Sequence, residues 1–146
     1  MFFVVFRVIV IDHYRYRHAL KALLSRLEQF PVVLVLGARQ VGKTTFLGRE
    51  LPDWGQIDLE VASLREVVSA DPDLFLGGHP DKVWFDEAQR CPELFSALRV
   101  AVDRDRRPGR YILSGSASPA LVKEVSESLA GRCGIIDLHG LSASEA

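Results

Sequence analysis

The sequence predicts an α/β fold: a parallel sheet with helices packed on both faces. Three observations carry this reading. Short, continuous apolar runs at Val32–Leu36, Val83–Phe85 and Tyr111–Leu113 have the pattern of strands covered on both sides. Segments of helical periodicity lie between them. Strand alternates with helix along the chain, as repeated strand–helix–strand units do.

Each element can be justified in order. Met1 to Ile11 (MFFVVFRVIVI) is apolar apart from Arg7. It is well short of the ~20 residues that span a bilayer. It also lacks the leading charge and small cleavage-site residues of a signal peptide, so no membrane partner is expected. Its β-branched content reads as a strand or a sticky tail. Residues 1–13 are therefore expected to be an apolar extension, and residues 14–146 the core domain. His18 to Phe30 is amphipathic, with Leu20, Leu23, Leu24 and Leu27 on one face, and Pro31 ends it. The strand Val32–Leu36 runs into a glycine-punctuated loop, Gly37 to Thr44, and Thr45 to Leu51 looks helical.

Pro52-Asp53-Trp54-Gly55 is a turn, and Gln56 to Leu59 a short strand. Glu60 to Ala70 reads as a helix, and Asp71-Pro72 opens another with proline in its first turn. Val83-Trp84-Phe85 is a strand ending in Asp86-Glu87. Pro92 starts a helix carrying Leu94, Phe95, Leu98 and Val102, and a charged loop follows from Asp103 to Gly109. Tyr111-Ile112-Leu113 is a strand, Pro119 to Leu129 a helix, and Ile135 to Leu138 a last short strand.

Composition narrows the classes. A chain of 146 residues with 48% hydrophobic and 25% charged residues suits one soluble domain and excludes disordered, collagen-like and coiled-coil chains. Lys+Arg is 18 against 19 Asp+Glu, so no global basic field draws in nucleic acid. The stretch Asp103 to Arg110 is locally basic and leaves nucleic acid or protein contact as a minor reading. Cys91 and Cys133 have no metal-ligand spacing and form no disulfide framework, which fits a reducing, cytoplasmic setting. His13, His18, His79 and His139 show no ligand spacing either.

The strongest chemical signal is GARQVGKT, which satisfies G-x-x-x-x-G-K-[ST] without mismatch, after a strand and before a helix. The glycines let the backbone N–H groups of Gly37, Ala38, Arg39, Gln40, Val41, Gly42 and the start of the helix through Thr45 cradle phosphates. The helix adds its positive N-terminal end. Lys43 reaches the β- and γ-phosphates, and the Thr44 hydroxyl sits on Mg²⁺. The side chains of Arg39 and Gln40 are expected to face solvent or a partner. KVWFDE (Lys82 to Glu87) then reads as a Walker B strand. Asp86 holds Mg²⁺ and Glu87 polarises the attacking water. Neighbouring strand residues face opposite ways, so both serve one site only where the strand ends and the chain turns.

Two further readings stay open. Ser114 and Ser116 are both candidates for a group above the γ-phosphate, with Ser116 favoured. The alternative is a simple serine-rich turn. Arg132, after Ser128-Leu129-Ala130-Gly131, either neutralises transition-state charge, in its own site or a neighbour's, or satisfies the carbonyls of its own helix end.

The stretches VVLVLGARQVGKTTF, VWFDEAQRCPELFSALRVAVDRDRRPGRYILSGSASPAL and VSESLAGRCGIIDLHGLSASE resemble the prokaryotic AAA-superfamily ATP-binding proteins that carry an uncharacterised C-terminal domain. The resemblance implies a P-loop NTPase three-layer sandwich with a five-stranded sheet of order 5-1-4-3-2, and Mg²⁺-dependent ATP hydrolysis. It places Lys43 and Thr44 in the phosphate loop, Asp86 and Glu87 in the Walker B pair, and Ser116 near the sensor position. It matches Arg132 to the arginine of the family's Ser-Leu-Ala-Gly-Arg stretch. Family members continue well beyond the last strand, so the core is expected to be truncated at its C-terminus. That puts a homo-oligomer or protein partner within expectation. It also keeps alive a nucleotide-binding module without turnover. A P-loop small-molecule kinase is the other rival, and the adjacent carboxylates and lack of an arginine-rich lid weigh against it.

Overall fold

A computed structural model of the chain describes the backbone of residues 2–37 and 42–138 and, within these, side chains from Tyr16 onward. A long helix, α1 (Phe2–Gln29), leads into β1 (Val32–Leu36). Then come α2 (Lys43–Glu50), β2 (Gly55–Asp58), α3 (Ala62–Ala70), α4 (Pro72–Gly78) and β3 (Val83–Asp86). A 3-10 turn (Ala88–Arg90) precedes α5 (Glu93–Arg104), and β4 (Tyr111–Gly115), α6 (Pro119–Ser128) and β5 (Cys133–Asp137) complete the order. The five strands are parallel and lie in the order β2-β3-β4-β1-β5, the expected 5-1-4-3-2 read from the other edge.

The period-2 alternation of the central strands divides the core in two. Val32, Leu34 and Leu36 of β1, Val83 and Phe85 of β3, and Tyr111 and Leu113 of β4 pack under α3, α4, α5 and α6. Val33, Val35, Trp84 and Ile112 face the other way, against Leu23 of α1 and Phe46 and Leu47 of α2. The continuous apolar runs are thus explained, since every residue of β1 and β3 is buried. Each fully buried Leu or Phe contributes about 1.5–3 kcal/mol relative to leaving it exposed.

Caps fall where their chemistry predicts. Asp71 accepts from the Leu74 N–H at 3.0 Å ahead of Pro72, and Ser118 accepts from the Leu121 N–H at 3.2 Å ahead of Pro119. Within the charged loop before β4, Arg110 is buried. Its guanidinium donates to the carbonyls of Pro80, Ala101 and Asp105 at 2.8–2.9 Å, tying the loop to the ends of α4 and α5.

The N-terminus corrects one expectation. The apolar segment is helical and not a strand: α1 runs from Phe2 to Gln29 without a break. β propensity is a weak prior that context overrides. A strand needs a sheet edge, whereas extending an existing helix adds one hydrogen bond per residue without a new nucleus. No Gly or Pro interrupts the sequence before Pro31. Among the described residues, no helix is long and apolar enough to cross a membrane.

Candidate phosphate-binding and hydrolytic site

The site lies at the C-terminal ends of β1, β3 and β4, where open parallel sheets place their ligands. Residues 38–41, and with them Ala38, Arg39, Gln40 and Val41, lie outside the described residues. The two ends of the loop are fixed. The Gly37 N–H donates to the Gly115 carbonyl at 3.2 Å, pinning the end of β1 to the end of β4. Gly42 adopts φ 78°, the left-handed region open to glycine at little cost, and caps α2. Its carbonyl accepts from the Phe46 N–H at 2.8 Å, so α2 begins at the lysine.

Lys43 is 2% exposed, an unusual setting for an ammonium. Its Nζ lies 3.4 Å from the Gly37 carbonyl oxygen and 3.2 Å from Glu87 Oε1. Thr44 Oγ1 donates to Asp86 Oδ2 at 3.2 Å. Thr45 is exposed in the first turn of α2. The phosphate loop and the acidic pair are therefore in direct contact through two separate bonds. Glu87 makes this geometry possible. Its φ of 56° is a left-handed conformation that non-glycine residues seldom adopt, and it turns the chain sharply after β3. Asp86 then meets Thr44 while Glu87 meets Lys43. Strain of this kind gathers at functional sites.

The acidic pair is held from behind. Asp86 Oδ1 accepts from Ser114 Oγ at 2.7 Å and from the Glu87 N–H at 3.0 Å. Ser114 in turn accepts from Trp84 Nε1 at 2.6 Å. The indole N–H occupies one acceptor position of the serine oxygen, and the hydroxyl's one proton goes to the carboxylate. The Ser114 side chain is fully buried, and its hydroxyl proton is used on Asp86. Ser116 is half-buried just beyond β4, its carbonyl accepting from the Ser118 N–H at 2.7 Å. Two participants escaped the sequence reading. One is Trp84, which looked like an ordinary core residue. The other is Gln89, whose Nε2 donates to Glu87 Oε2 at 2.6 Å. The available signal for Trp84 was parity: residues 84 and 86 share a face of β3, as 112 and 114 do on β4.

Arg132 stands apart from this cluster. It precedes β5, whose first residue, Cys133, is level with Val32, whereas Asp137 is level with Leu36 beside the phosphate loop. Arg132 thus sits at the other end of the sheet. Its guanidinium donates to both Asp103 oxygens, Nε at 2.7 Å and Nη2 at 3.0 Å, and to the Ala130 carbonyl at 2.9 Å. That arginine holds the Asp103 carboxyl below the usual carboxylate range. Nearby, Arg106 pairs with Asp103 and Arg107 with Asp105 and Asp81. These cations of the basic stretch are engaged within the chain. Burial, aided by Glu93, pushes the Cys91 thiol up to about 11, and burial pushes Cys133 to about 12, so neither is a reactive thiolate near neutral pH. No cluster of His, Cys, Asp and Glu with metal-binding geometry occurs among the described residues.

Comparison with known proteins agrees with this architecture. The fold matches the Walker-type ATPase PABY2304 of Pyrococcus abyssi with a TM-score of 0.58 at 20% identity, over 84% of this chain and 52% of that one. Two curated relatives, the uncharacterized proteins Mb2031c of Mycobacterium bovis and Rv2008c of Mycobacterium tuberculosis, are each 45% identical over 134 residues. The match covers 88% of this chain and 30% of each relative, so the chain spans under a third of their length. The family model described as an AAA domain matches residues 29–146, from the end of α1 through β5. The chain therefore belongs to this family of AAA domains, within the P-loop AAA superfamily.

Proposed function

We propose that the chain binds ATP with Mg²⁺ and hydrolyses the β–γ bond. One observation carries this: Lys43, Thr44, Asp86 and Glu87 form a single contact network at the mouth of the phosphate loop. Lys43, buried and held by a carbonyl and a carboxylate, is placed to exchange these for phosphate oxygens. Thr44 Oγ1 and Asp86 Oδ2 offer the hard oxygen donors that suit Mg²⁺ and would hold it. When bound, the ion neutralises charge on the phosphate oxygens. Asp86, oriented by Ser114 and Trp84, presents Oδ2, the oxygen that Thr44 meets, to that position. Glu87 takes the proton of the water that attacks the γ-phosphorus, while the bond from that phosphorus to the β–γ bridging oxygen breaks and ADP leaves.

Ser116, at the exit of β4, is the group we assign to the γ-phosphate side, with Ser114 in support of Asp86. A role for Arg132 in transition-state charge runs through a second copy of the chain, given its place at the far end of the sheet. Free thiols suit a cytoplasmic setting. A module that binds nucleotide without turnover is the second reading, favoured by the engagement of both Glu87 carboxylate oxygens, one by Lys43 and one by Gln89.

The test is phosphate release with and without Mg²⁺ by the parent chain and Glu87→Gln. The parent should require Mg²⁺. The variant should retain nucleotide and lose about 100-fold or more in rate. Equal turnover by both proteins would remove Glu87 from the chemistry. Tight binding with no turnover by the parent would select the second reading.

A further inference from the structure

We propose that Gln89 is a positioning residue for Glu87, and that Gly115 is the seat that allows it. The inference rests on Glu87 acting as the hydrolytic carboxylate. Four observations support it. Gln89 Nε2 donates to Glu87 Oε2 at 2.6 Å, while Glu87 Oε1 faces Lys43 at 3.2 Å, so each carboxylate oxygen has its own holder. A carboxylate only accepts, which fixes the amide with its NH₂ on Glu87 and its oxygen pointing away. That oxygen, Oε1, is buried and has no hydrogen-bond partner among the described residues. It lies against Gly115, where a Cβ would come within 2.4 Å of it and within 2.7 Å of Leu121 Cδ2.

A glycine at the end of a strand weakens it and marks close approach by another group. Here the approaching group is the amide of Gln89. The backbone keeps it there. After the left-handed Glu87, the 3-10 turn is closed by Arg90 N–H to the Glu87 carbonyl at 3.0 Å and Cys91 N–H to the Ala88 carbonyl at 3.1 Å. Ala88, the first residue of the turn, and Cys91, which follows it, are fully buried. Gln89 is therefore carried on a rigid arm. Leaving a buried amide oxygen unpartnered is costly, and the compensation on this side chain is its bond to Glu87.

The two holders differ in fate. A phosphate that engages Lys43 competes for the ammonium that Glu87 Oε1 faces. Gln89 has no such competitor and keeps the carboxylate in one rotamer while Lys43 changes partners. Its loss should therefore lower the rate of hydrolysis and leave nucleotide affinity alone.

Gln89→Met keeps the volume and removes the donor; Gln89→Glu keeps the shape and sets a second carboxylate against Glu87. Single-turnover ATP hydrolysis and the affinity for Mg·ADP are measured on the full chain. We expect Gln89→Met to lose about tenfold in rate, the scale of one lost hydrogen bond, with affinity within about twofold of the parent. Gln89→Glu should be slower still. A rate within about twofold of the parent for Gln89→Met, or equal losses of rate and affinity, would overturn the proposal. If the parent binds nucleotide but does not turn it over, the hydrolytic reading fails by itself. The clamp is then read from denaturation midpoints of Gln89→Met, Glu87→Met and the double variant. Non-additive shifts support the pairing, and additive shifts overturn it.

Discussion

Two ion pairs at opposite ends of the sheet differ in a way that separates function from stability. At the far end, Arg132 and Asp103 meet with two short hydrogen bonds at 2.7 and 3.0 Å, in good fork geometry, with side chains 23% and 44% exposed. At the loop end, Lys43 and Glu87 meet through a single contact of 3.2 Å, with side chains 2% and 10% exposed. The better-formed bond lies where water screens it. The looser bond is in a dry site, where each partner retains capacity for another ligand. Geometry and burial rank the two pairs in opposite orders: the exposed pair is the better formed, and the looser pair is the more deeply buried.

The largest effect should come from breaking the buried pair. Lys43→Ala removes the cation of the phosphate site and leaves Glu87 without it. Nucleotide affinity should fall at least about 100-fold, as expected from two charge-assisted bonds. Folding stability should fall by about 3–5 kcal/mol because a buried carboxylate loses its partner. Calorimetric titration with ADP and denaturant unfolding read the two separately. Recovery of stability in Lys43→Ala/Glu87→Gln without recovery of binding would sharpen the distinction between the pair's structural and chemical roles.

Next in size is the support behind Asp86. Ser114→Ala removes the proton donated to Asp86 and strands the Trp84 N–H in the core, at about 1–3 kcal/mol. It should also raise the Mg²⁺ concentration needed for half-maximal hydrolysis. Trp84→Phe restores an apolar fit and should recover part of the stability in the double variant. A Mg²⁺ requirement unchanged in Ser114→Ala would show that Asp86 is oriented without the serine.

The smallest effect is expected at the exposed pair. Arg132→Ala should barely move the denaturation midpoint, and the parent's midpoint should be insensitive to this pair at high salt. Its hydrolysis rate at low protein concentration should match the parent's. A deficit that appears only as concentration rises would support the proposed role of Arg132 in a neighbouring copy's site; no deficit at any concentration would leave it a surface pair alone.

The two regions also differ in how much of them could be read in advance. The phosphate loop and Asp86-Glu87 are contiguous in sequence, and their chemistry depends on local spacing. The β1, β3 and β4 strands were legible because burial on both faces leaves unbroken apolar runs. Gln56 to Leu59 was legible only approximately, since β2 is an edge strand with exposed residues. The N-terminal helix was misread because β-branched residues favour strands only where a sheet edge receives them. Trp84, Ser114 and Gln89 carry no local signature. Tryptophan in a strand looks like core, and glutamine after an acidic pair looks like surface.

What the sequence determined by itself was periodicity, breakers and the spacing of one motif, because these are properties of neighbours along the chain. The tertiary structure decided which serine meets Asp86, why residue 115 has no side chain, and where Arg132 lies. Those outcomes depend on which strands are adjacent, on the parity that puts residues 84, 86, 112 and 114 on one face, and on a left-handed turn at Glu87 that brings Gln89 back over β4.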